Sequence, residues 1–198
     1  MKILSSTVRR VAGPALAAGL AVTAFATPAS AAPAPGSTVT RFGGSVVLSA
    51  AAGVKNQVTA SVSGGLLIME DLSGVTAGPG CTQLTATTAR CGSAGSVGQL
   101  TISVGDQDDT VTNSTGIRSV IDAGPGNDIV NGGTGNDTIN AGTGTDTVNG
   151  GGGNDTINVH DGTGGDTVTC GDGFDVVSAD PGDIFPTGNG CEVGSGIF

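Results

Sequence analysis

Along the second half of the chain, isolated apolar residues recur with a period of nine in a background of Gly, Thr, Asn and Asp. Val111, Val130, Ile139, Val148, Ile157, Val168 and Val177 each stand at the centre of a short stretch such as Thr-Ile-Asn or Thr-Val-Thr. Alternation of this kind predicts a brief strand in which only the central residue turns inward, giving a core one residue wide. The paired glycines between the stretches predict tight turns, because glycine adopts positive φ at little steric cost.

Four units run without a gap: 123–131 (AGPGNDIVN), 132–140 (GGTGNDTIN), 141–149 (AGTGTDTVN) and 150–158 (GGGGNDTIN). The insertion Val159-His160 separates them from 161–169 (DGTGGDTVT) and 170–178 (CGDGFDVVS). Upstream, 104–112 (VGDQDDTVT) keeps the aspartate, whereas 95–103 keeps only the apolar Ile102. Each unit reads small-Gly-x-Gly-x-Asp-x-apolar-x. Gly124 and Gly126, Gly133 and Gly135, Gly142 and Gly144, and Gly151 and Gly153 fill the two glycine positions of the gapless units. Asp109, Asp128, Asp137, Asp146, Asp155, Asp166 and Asp175 fill the sixth.

This pattern resembles the GGxGxDxUx nonapeptide of the RTX, or haemolysin-type, calcium-binding repeat family. The resemblance covers about 104–178 and implies an all-β fold, a right-handed parallel β-roll (β-solenoid) in which two nonapeptides complete one coil. Units two apart would stack, with Asp109, Asp128, Asp146 and Asp166 on one edge and Asp137, Asp155 and Asp175 on the other. Neighbouring carboxylates would then lie roughly 4.8 Å apart, the strand spacing of a sheet, and would repel if left unneutralised. Several Ca²⁺ ions are the implied cofactor, because a hard dication takes six or more oxygens and the aspartates and glycine-bearing turns offer them. A Gly-rich coil burying two Val or Ile side chains recovers too little to offset its ordering entropy. The repeats are therefore expected to fold only as calcium binds.

The array is uneven. Segment 113–122 lacks the glycine pair, and Arg118 falls near the place of the missing aspartate, so one site is expected to be lost or altered there. Segment 179–185 (ADPGDIF) reads as a truncated last unit with Asp183 as its ligand. The ninth-position residues Asn131, Asn140, Asn149 and Asn158 are expected to form side-chain ladders between coils.

Before the repeats, strands are expected at Val39–Phe42, Ser45–Ser49, Gln57–Val62, Leu66–Glu70 and Gln99–Val104, turning at Gly43-Gly44 and Gly64-Gly65. Repeat arrays need atypical ends, so 37–103 is read as a β-rich N-terminal cap, with a separate ligand-binding β-domain as the alternative. Segment 104–187 is the roll and 188–198 a C-terminal tail. At the other end, Lys2, Arg9 and Arg10 precede the apolar run 11–26, and Ala29-Ser30-Ala31 offers a small-x-small cleavage site, so 1–31 reads as a signal peptide and 32–36 as a Pro-rich linker. The run is too short, and too interrupted by Gly13-Pro14, to predict a membrane span. The expected location is extracellular.

Downstream of Ala31, four basic residues face 17 acidic ones, leaving a net charge of −13 that repels nucleic acid and anionic membranes. All four cysteines lie in this part, which fits disulfides in an oxidising compartment. Three pairings are open. Proximity favours Cys81 with Cys91 and Cys170 with Cys191, and no Cys-x-x-Cys spacing supports a zinc site. His160, the single histidine, sits in the insertion as an exposed loop residue, and neither Gly-x-Ser-x-Gly nor His-Glu-x-x-His occurs. The reading is a secreted, non-enzymatic calcium module with a structural or stabilising role. Two alternatives are kept: a calcium-dependent adhesin or matrix protein with a surface partner, and an ice-binding protein using Thr134–Asn136 and Thr143–Thr145, in files interrupted by Pro125, Gly152 and Asp172.

Overall fold

The computed structural model describes residues 36–195; the expected signal peptide and nearly all of the Pro-rich linker lie outside the described residues. Among the described residues there is no α-helix, only a 3-10 turn at Ala94–Ser96. The N-terminal region forms β1 (Ser37–Phe42), β2 (Ser45–Ala50), β3 (Gln57–Ser63), β4 (Leu66–Asp71), β5 (Val75–Ala77), β6 (Thr82–Gln83) and β7 (Thr88–Ser93). There follow β8 (Gln99–Ser103), β9 (Thr110–Asn113), β10 (Ser119–Asp122), β11 (Ile129–Asn131), β12 (Thr138–Asn140) and β13 (Thr147–Gly152). The last strands are β14 (Thr156–Asn158), β15 (Thr167–Asp172), β16 (Asp175–Ser178) and β17 (Cys191–Ser195).

These strands make two sheets, one ordered β17-β16-β14-β12-β10-β8-β2-β1-β5 and the other β15-β13-β11-β9-β3-β4-β7-β6. From β8 to β16 the chain alternates between the sheets at every step, and every pairing there is parallel. Three-residue strands cannot bury a face alone, so stacking supplies the core. In one sheet Leu48, Ile102, Ile121, Ile139, Ile157 and Val177 fall in register. In the other, Val58, Val111, Val130, Val148 and Val168 do the same. All eleven are essentially inaccessible to solvent.

Two expectations need correction. The interior is wider than one residue, because alternation runs through the unit boundary: Asp137, Ile139 and Ala141 are buried while Thr138 and Asn140 between them are exposed. The sixth, eighth and next first positions therefore share the inner face, which is why the first position is small. The C-terminal segment is also more than a tail, since β17 extends the first sheet in parallel with β16.

Region 37–103 continues both sheets. β2 and β3 pair in parallel with β8 and β9, and the antiparallel strands β1, β4, β7 and β6 then cover the growing ends. Strands β5, β6 and β7 escaped the sequence reading because β7, TARCGS, buries only Ala89 and Cys91, which carry little apolar signal. Ile139 lies between Ile121 and Ile157, 1% exposed. Ile139→Ala is expected to cost about 2–5 kcal/mol by leaving a cavity, read as a lower urea midpoint in calcium-saturated protein.

Candidate metal centre

Parity places the sixth-position carboxylates inside the stack. Asp109, Asp128, Asp137, Asp146, Asp155, Asp166 and Asp175 are at most 2% exposed. They form the two columns the sequence predicts, each built by the same rung. The backbone N–H of Asp109 donates to Asp128 Oδ1 at 2.7 Å, that of Asp128 to Asp146 Oδ1 at 2.8 Å, and that of Asp146 to Asp166 Oδ1 at 2.7 Å. In the second column Asp137 N–H donates to Asp155 Oδ1 at 2.8 Å and Asp155 N–H to Asp175 Oδ1 at 2.7 Å.

Each rung uses one carboxylate oxygen. The second, Oδ2, is buried without a hydrogen-bond partner in Asp109, Asp128, Asp137, Asp146 and Asp155. A buried anionic oxygen left bare is costly. Burial raises the carboxyl groups of Asp109, Asp128, Asp137, Asp146, Asp155 and Asp166 to about 6. Hydrogen bonds pull the other way, from backbone N–H groups and, at Asp137, first from the Ser119 hydroxyl. For Asp128, Asp137, Asp146, Asp155 and Asp166 the carboxylate of a neighbouring coil adds to the rise, and for Asp109 the carboxylates of Asp71 and Asp106 do. Among the described residues no three His, Cys, Asp or Glu side chains converge on one point, since each column takes one carboxylate per coil. The donor set is thus all hard oxygen, with the cysteines committed to disulfides. That chemistry fits Ca²⁺ completed by backbone carbonyls and does not fit a soft-ligand metal.

The turns explain the glycines. Gly142, at the second position, has φ 104°, and a Cβ there would collide with the backbone of Gly124 one coil below. At the fourth position the reason varies: Gly144 has positive φ, whereas Gly126 does not, but a Cβ on it would strike the carbonyl of Gln107. A further ladder went unnoticed in the sequence. Fifth-position side chains also stitch the coils: Asn136 Oδ1 accepts the N–H of Asn154 at 3.0 Å, Asn154 Oδ1 that of Phe174 at 3.0 Å, and Asn127 Oδ1 that of Thr145 at 2.9 Å. The recurring Asn-Asp pair was its signal. The expected ninth-position ladder forms on one sheet, where Asn158 Nδ2 donates to Asn140 Oδ1 and Asn140 Nδ2 to Asp122 Oδ1. On the other sheet Asn131 and Asn149 line a polar trough of about 450 Å³ with Ser114, Thr134 and Asp172.

The irregular units resolve as follows. Register places Arg118 opposite Asn136, in the fifth position, and Ser119 opposite Asp137 in the aspartate position. Ser119 donates both its N–H and its hydroxyl to Asp137 Oδ1, at 2.6 and 2.8 Å, so a serine and not Arg118 replaces the carboxylate. Asp183 does take the last position of its column, accepting the N–H of Asp166 at 3.1 Å, but its Oδ2 is occupied by the N–H of Asp180. His160 is 60% exposed, as expected of a loop residue, and its Nδ1 lies 2.6 Å from Asp180 Oδ1. Both favoured disulfides form: Cys81–Cys91 ties the hairpin around β7, and Cys170–Cys191 fastens β17 to β15.

Two parallel-stranded sheets with columns of buried carboxylates between successive strands define a repeat architecture whose donor atoms are hard oxygens. Residues 122–157 match the RTX calcium-binding nonapeptide repeat, in four copies. RTX nonapeptide repeats bind Ca²⁺, several ions per set of repeats. Neither the curated proteins nor the solved structures yield a match to this chain.

Proposed function

We propose that the chain is a secreted calcium-binding protein whose repeats form a right-handed parallel β-roll that folds around its ions and acts as an extracellular stability module. The observation that carries this reading is the set of five buried Oδ2 atoms without partners. Asp109, Asp128, Asp146 and Asp166 would hold ions along one column and Asp137, Asp155 and Asp175 along the other. The carbonyls of the turns built on Gly124, Gly126, Gly133, Gly135, Gly142, Gly144, Gly151 and Gly153 would complete the oxygen shells. Bound calcium supplies the positive charge that these columns lack. The chain's own residues do the rest: the N–H rungs orient each carboxylate, the small first-position residues leave it room, and Val and Ile exclude water beside it.

Two disulfides favour an oxidising, extracellular setting. Among the described residues no helix is long and apolar enough to cross a membrane. Residues 37–103 would serve as the cap of the roll, with their antiparallel strands shielding its open edges. A calcium-dependent adhesive role has one observation in its favour, the polar trough beside Asn131 and Asn149. Calorimetric titration of metal-free protein with CaCl₂ at pH 7.5 tests the main reading. Several ions per chain, bound with a cooperative profile at about 10⁻⁴–10⁻³ M, are expected; absence of binding in that range would overturn it.

A further inference from the structure

The column that begins with Asp109 does not end there. Gln57 pairs with Thr110 and Val58 with Val111, so Asn56 lies opposite Asp109 as Asp109 lies opposite Asp128. The rung repeats as well: the N–H of Asn56 donates to Asp109 Oδ1 at 2.7 Å. Asn56 is 1% exposed, and by alternation it shares the inner face with Val58 and Ala60, which are also buried.

The orientation of its amide is fixed by its surroundings. One end of the amide lies 3.2 Å from the carbonyl of Gly36, 2.8 Å from Asp71 Oδ2 and 2.9 Å from Ser73 Oγ. The first two can only accept, so that end is Nδ2 and the other is the carbonyl oxygen. Asp71 acts here as a positioning group, because its Oδ1 already accepts from the backbone N–H and hydroxyl of Ser73. Asn56 Oδ1 is then left buried with no hydrogen-bond partner, like Asp109 Oδ2 on the next coil.

We infer that Asn56 Oδ1 and Asp109 Oδ2 form an additional Ca²⁺ site, one coil before the repeats and outside the matched residues 122–157. This rests on the reading of the aspartate column as calcium sites and extends it into the N-terminal region. An amide oxygen is a neutral hard donor that calcium accepts. With one carboxylate fewer, and with Lys55 exposed beside it, this site is the weakest of its column and fills last. The second column has no amide counterpart: Ser119, which stands opposite Asp137, turns its hydroxyl to donate to Asp137 Oδ1, so Asp137 Oδ2 is the bare oxygen at that end. An ion at this site joins the segment carrying Asn56, and through its amide Gly36, Asp71 and Ser73, to the repeats, so the cap and the array would fold as one unit.

A crystal of the full chain grown with CaCl₂ and examined at a wavelength where calcium scatters anomalously tests this directly. Peaks are expected along both aspartate columns, with one more at about 2.4 Å from Asn56 Oδ1. Peaks on the columns with none at Asn56 would remove this inference alone, whereas no peak anywhere would remove the calcium reading of the columns too. In solution, Asn56→Ala should bind one ion fewer than the unaltered chain by equilibrium dialysis with radiolabelled calcium, losing the weakest class. An unchanged count in a variant that still gains its β-sheet circular dichroism with calcium would contradict the assignment. If the variant does not fold, the crystal of the unaltered chain decides.

Discussion

Removing calcium with EDTA at pH 7.5 is expected to abolish most of the β-sheet circular dichroism and to enlarge the hydrodynamic radius, both recovering when calcium is returned in excess. Two columns of buried carboxylates stand on successive coils, and Asp109, Asp128, Asp137, Asp146 and Asp155 each present an oxygen that nothing in the protein satisfies. At this pH the metal-free fold would have to carry these as desolvated anions beside one another, or protonate them against the solvent. The apolar ladders cannot compensate, for each coil adds two Val or Ile side chains and many glycines. An ion present at a hundredfold excess over its dissociation constant contributes about 2.7 kcal/mol per site, a large share of a typical domain's stability. The hairpins around β4 and β7, closed by Cys81–Cys91, depend least on the columns and should retain the residual signal. A spectrum and radius unchanged by the chelator would show that the bare oxygens carry no folding energy.

The period, the strands of the regular units on 104–178 and both columns are legible in the sequence because one unit is repeated and each copy corroborates the others; β10, in the irregular segment 113–122, is not. What escaped depended on parity or on register with distant strands. Counting by twos from Ile139 puts Asp137 on the same face, so the burial of the carboxylates was available in the sequence, yet the turn-forming glycines drew the sixth position toward the edge. The sequence puts Arg118 only near the place of the missing aspartate, because segment 113–122 is ten residues long; the pairing of Ile121 with Ile139 assigns that position to Ser119. Asn56 was beyond reach for a related reason. It has no nonapeptide around it, and its place in the column follows from β3 lying beside β9 across the intervening strands β4–β8. The fifth-position ladder was visible as a recurring Asn, but a polar residue in a turn has several local uses and sequence does not choose among them.

Acid should replace calcium in part. Burial lifts Asp109, Asp128, Asp137, Asp146, Asp155 and Asp166 to about 6 in the metal-free fold, against about 3.9 for an unfolded aspartate. Between these values the folded chain binds more protons than the unfolded one, so its stability falls as pH rises. The stabilisation is fully present below about 4 and lost as pH climbs through about 6, a change of roughly 2–3 kcal/mol for each carboxylate taken alone. Calcium-free protein prepared by dialysis, rather than with EDTA, which releases its metal in acid, should therefore regain β-sheet signal on going from pH 7.5 to 5. The lower value stays above the sequence pI of about 4.1, so the chain keeps a net negative charge and the gain can be separated from isoelectric precipitation. Over the same interval the difference between calcium-loaded and calcium-free spectra should shrink, since protons and calcium answer the same need at Oδ2. A calcium-free chain as unfolded at pH 5 as at pH 7.5 would mean that charge in the columns is not what keeps it open. The shortage of apolar contact would then be the dominant cause, and neutralising the aspartates would not fold the chain without metal.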